Sequence, residues 1–141
     1  MAEEPSILSF NVKDVEEFLN VGSLRHCLFA VQECYLAIAT SKHILIMEGI
    51  YPNNQDEDFQ SIQITDFEEE YGYPLCITWI NREYVSIGFD SGFLVCFDLS
   101  ASVIYEKKMN ESPLVALILK ENDLWILYEK GHILAVCVMD I

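Results

Sequence analysis

Gly88-Phe89-Asp90-Ser91-Gly92 sets a serine close to two glycines, and a serine paired with a histidine elsewhere would be the start of nucleophilic hydrolase chemistry. The nucleophile elbow, however, reads G-x-S-x-G and turns a strand into a helix. Here Ser91 falls one position late, between two apolar, strand-like runs. An Asp-Ser-Gly hairpin connection accounts for the same residues, with Gly92 free to take a positive φ. His26, His43 and His132 each sit at or near the start of an apolar run. His43 and His132 hold the same place in an internal repeat, and equivalent places in separate repeat units stand far apart, which favours structure over a ligand set. Cys27, Cys34, Cys76, Cys96 and Cys137 contain no C-x-x-C pair, so they lack the short spacing of a structural zinc site and read as small buried hydrophobes. Asn110-Glu111-Ser112 matches the N-glycosylation pattern, but no secretory signal accompanies it.

Carboxylates are the remaining chemistry. Asp56, Glu57 and Asp58 form one acidic run, and Asp66, Glu68, Glu69 and Glu70 form another. Neither has the alternating acids, central glycine and closing glutamate of a calcium loop. They read as two solvated loops that would meet a basic patch on a protein partner with a salt-sensitive on-rate. Eight acids fall in residues 43–81, a span without lysine or arginine. No Walker-type loop or dinucleotide fingerprint occurs, and no cofactor is expected.

The whole chain sharpens this picture. Its 141 residues hold 23 acids against 8 Lys and Arg, a net charge of −15, with 52% hydrophobic residues. That much apolar content excludes a fully disordered chain. The charge argues against nucleic acid or an anionic membrane as the main partner. No apolar run approaches the roughly 18 residues that span a bilayer, and no basic, apolar leader opens the chain. The expectation is a cytoplasmic protein without a transmembrane segment.

Residues 1–23 suggest a short strand at 7–10 and a short amphipathic helix over 12–19, with Val12, Val15, Phe18 and Leu19 on one side. From residue 24 the pattern is β: apolar, β-prone runs at 24–31, 34–40, 43–47, 59–65, 75–80, 83–89, 93–98, 102–107, 114–119, 124–128 and 132–139, separated by turn residues. Three hairpins repeat. Matching His43, Phe93 and His132 sets units 50 and 39 residues apart, the longer spacing holding the two acidic loops. A period near 40–45 with four short strands per unit is that of a propeller blade. No Trp-Asp dipeptide closes a unit, so these are degenerate WD-like blades. The chain is therefore expected to be all-β: an incomplete β-propeller over 24–141, with blades at about 24–65, 74–109 and 114–141. Two and a half blades fall short of the four to eight that close a ring, which suggests the front end of a longer protein, a short form, or a piece bound to a partner.

Val85 to Phe97, with its Gly88-Phe89-Asp90-Ser91-Gly92 hairpin, then Glu106 to Val115, resembles the N-terminal region of the regulatory, non-catalytic subunit of the Rab GTPase-activating complex of the Rab-three type. That family carries a G-F-x-S-G-x-x-x-F strand pair, a return strand, and Pro-Val before the next strand. Here Leu114 intervenes between Pro113 and Val115. Ser6 to Phe10, Asp14 to Leu19 and Leu124 to Tyr128 are also similar to the family, which runs to much longer chains. The resemblance implies a regulatory subunit that pairs with a separate catalytic subunit and acts on a Rab GTPase only indirectly, in membrane traffic. The catalytic arginine belongs to the partner, so no catalytic residue carries over. The alternative is a stand-alone propeller-like adaptor that completes its sheet by self-association or with another protein.

Overall fold

The computed structural model describes residues 27–49 and 62–141. The strand and helix expected within residues 1–23, His26, and the acidic run Asp56, Glu57 and Asp58 lie outside the described residues.

Eleven strands are described, each joined to the next by an antiparallel connection within its sheet. β1 (Leu28–Gln32), β2 (Tyr35–Ala39), β3 (His43–Glu48) and β4 (Ile62–Asp66) form sheet one. β5 (Pro74–Trp79), β6 (Val85–Phe89), β7 (Phe93–Phe97) and β8 (Val103–Lys108) form sheet two. β9 (Leu114–Lys120), β10 (Asp123–Tyr128) and β11 (Ile133–Cys137) form sheet three, followed by a 3-10 turn at Val138–Asp140. Strand order follows the chain in every sheet. β1 lies beside β5 and β5 beside β9, so the first strands of successive sheets converge, as the inner strands of propeller blades do. The chain is all-β and forms part of a propeller of degenerate blades.

Local chemistry trims several strands. The Asn81 side-chain carbonyl accepts from the amides of Glu83 and Tyr84, both at 2.8 Å, and this turn holds them out of the ladder until Val85. Asp98 accepts from the amides of Ser100 at 2.9 Å and Ser102 at 3.0 Å, delaying β8 to Val103. The run expected over 132–139 ends at Cys137, where the 3-10 turn begins. The repeat is visible in the backbone: the carbonyls of His43 and His132 each accept a turn-closing bond at 2.9 Å, from the amides of Thr40 and Tyr128. Gly92 takes φ +93, and a Cβ there would run into the Asn110 carbonyl, so this hairpin requires glycine.

Two apolar layers hold the sheets together. Between sheets one and two, Ala37, Ala39, Ile44 and Ile46 pack with Trp79, Val85, Ile87, Phe89, Val95 and Phe97. Trp79 donates its ring N–H to the Ala30 carbonyl at 3.0 Å, so the largest side chain in the layer is also paired across it. Between sheets two and three, Leu94 and Cys96 pack with Leu114, Leu124, Ile126 and Tyr128. Fully burying one such side chain contributes about 1.5–3 kcal/mol, so these layers dominate the stability.

Candidate functional site

The second acidic run surrounds the exit from β4. His43 and Asp66 face each other in the β3–β4 register, which brings His43 Nδ1 to 3.4 Å from Asp66 Oδ1. The Phe67 amide donates to the Lys42 carbonyl at 2.8 Å, tying the β2–β3 turn to the strand leaving β4. That turn is tightened by the Thr40 hydroxyl, which accepts from the amides of Lys42 at 3.2 Å and His43 at 3.0 Å.

Asp66 closes β4, Glu68 precedes a 3-10 turn, and Glu69 and Glu70 lie in that turn with Tyr71. The sequence pattern suggested only a solvated loop here. The difference arises from two aromatic side chains between the acids. Phe67 meets the Phe89 ring edge-on, with centroids 5.0 Å apart. Tyr71 is buried beside Phe89 and Phe93, at 5.1 and 5.3 Å. Its hydroxyl donates to a Glu106 carboxylate oxygen at 2.6 Å. Burial, and then the bond to Glu106, push the Tyr71 phenol well above its ordinary range, so it stays neutral and donating. Gly72 follows at φ +76, where a Cβ would overlap an Asp90 carboxylate oxygen, and the Tyr73 amide donates to that carboxylate at 2.9 Å.

Asp66, Glu68, Glu69 and Glu70 consequently project into solvent from a turn pinned at both ends in the core. Asp66, Glu68 and Glu69 border an open cleft of about 680 Å³ that Ser41, Lys42, His43 and Tyr73 also line. Tyr73 is 64% exposed. Three carboxylates around one ammonium, with an accessible phenol ring, would suit a basic segment of a protein. The aromatic residues Phe67, Tyr71 and Tyr73 were not singled out from sequence. Their interleaving with the acids was the available sign.

The other candidate chemistry resolves into structure. The Ser91 hydroxyl accepts from the Phe93 amide at 3.4 Å within its turn. All five cysteines are free; Cys96 is buried and the others half-buried. Burial pushes the Cys76 and Cys96 thiols up to about 12, which suppresses their thiolates. Asn110 accepts from the Ser112 amide at 3.2 Å, and Ser112 is buried, so the glycosylation pattern is folded into a turn. Among the described residues no three His, Cys, Asp or Glu side chains come together as a metal site, and no helix is long and apolar enough to cross a membrane.

Searches against family models and curated proteins find no match. Solved structures do match. One is a chain in the crystal structure of the mitotic checkpoint complex, with a TM-score of 0.60 and 16% identity, covering 80% of this chain and 33% of that one. Another is apo AztD from Citrobacter koseri, with a TM-score of 0.51 and 8% identity, covering 81% of this chain and 44% of that one. The chain thus spans less than half the length of either of these two structures. At these identities the likeness shows the propeller-type fold alone.

Proposed function

We propose that the chain is a non-catalytic, protein-binding portion of a propeller. On the sequence resemblance, it is the N-terminal part, or a short form, of the regulatory subunit of a heterodimeric Rab GTPase regulator of the Rab-three type. In this reading it supports GTPase activation or nucleotide exchange through contacts with the catalytic subunit and touches the Rab GTPase only indirectly. The observation that carries the protein-binding part is the acidic turn: exposed carboxylates on a rigid, core-anchored support beside an open cleft. Pre-organised charge of one sign raises association rates with a basic partner and makes them salt-dependent. Co-precipitation of this chain with the catalytic subunit tests the Rab reading; binding is expected, and failure of both this chain and a longer form to bind overturns it. Where binding is found, Glu68→Lys with Glu69→Lys is expected to slow association at low salt by about tenfold or more.

The second reading is the stand-alone adaptor. It is favoured by sheet three, which among the described residues has three strands where the others have four and leaves Trp125, Ile118 and Ile133 exposed. Light scattering on dilute protein decides whether the chain completes itself by self-association: a compact monomer ends that version.

A further inference from the structure

No further inference is drawn: the strongest candidate, the open cleft between the β2–β3 turn and the acidic turn after β4, belongs to the site already described, and among the described residues no second feature beside its carboxylates, Asp66, Glu68 and Glu69, points to a particular ligand.

Discussion

Sheet two and sheet three are built from equally apolar strands and end up differently. β6 is buried at all five positions, and β7 at four of five. β10 alternates, exposing Asp123, Trp125 and Leu127 while burying Leu124, Ile126 and Tyr128, and β11 is half-buried only at its end. Among the described residues, sheet two has a neighbour on each face and sheet three on one. Strand hydrophobicity therefore reports the capacity to be buried, and stacking decides whether that capacity is used.

The comparison can be broken most directly in the core. Phe89→Ala, in the layer between sheets one and two, is expected to lower stability by about 3–5 kcal/mol in urea unfolding, while Leu127→Ala, on the open face of sheet three, costs about 1 kcal/mol or less. Equal losses would mean that a neighbour covers sheet three.

Glycines make a smaller contrast of the same kind. Gly92→Ala in the sheet-two hairpin forces a strained φ and a backbone collision. Gly131→Ala in the sheet-three hairpin meets a strained φ (+82) but open space. The first should cost more than the roughly 1–3 kcal/mol of backbone strain alone, and the second no more than that, read from thermal midpoints.

Tyr71 sharpens the description of the acidic turn. Its phenol is raised in the folded state above the ordinary value of 10.0, so above that pH the unfolded chain loses this proton first. Stability is full below pH 10 and declines as pH rises beyond it. Tyr71→Phe is expected to remove this residue's part of the alkaline decline, and to cost about 1 kcal/mol at neutral pH by leaving Glu106 without its donor.

The smallest effect involves no loss of stability. Buried Cys96 of β7, its thiol raised to about 12, should react with a thiol reagent at least about tenfold more slowly than half-buried Cys137 of β11. Similar rates would show that sheet two opens as readily as sheet three.

Much of the fold was legible because it is written locally. Apolar runs, turn residues and the three-hairpin repeat located all eleven described strands to within a few residues. The ends of β6, β8 and β11 were shifted from the expected runs by Asn81, by Asp98 and by a terminal 3-10 turn. The acidic turn was legible as a charge run, but its shape was not. Tyr71 reaches Glu106, 35 residues away, and Phe67 packs on Phe89 and Phe97. No periodicity within residues 66–72 encodes those partners.

The sequence by itself determined an all-β chain of short hairpins, a strongly acidic surface and the repeat that stacks one sheet on the next, because alternation and turn chemistry act over a few neighbouring residues. Only the tertiary structure decided which apolar faces of the described sheets are covered and that the acids stand on an anchored turn. Those outcomes depend on which sheets meet, and contacts between residues tens of positions apart are settled by packing.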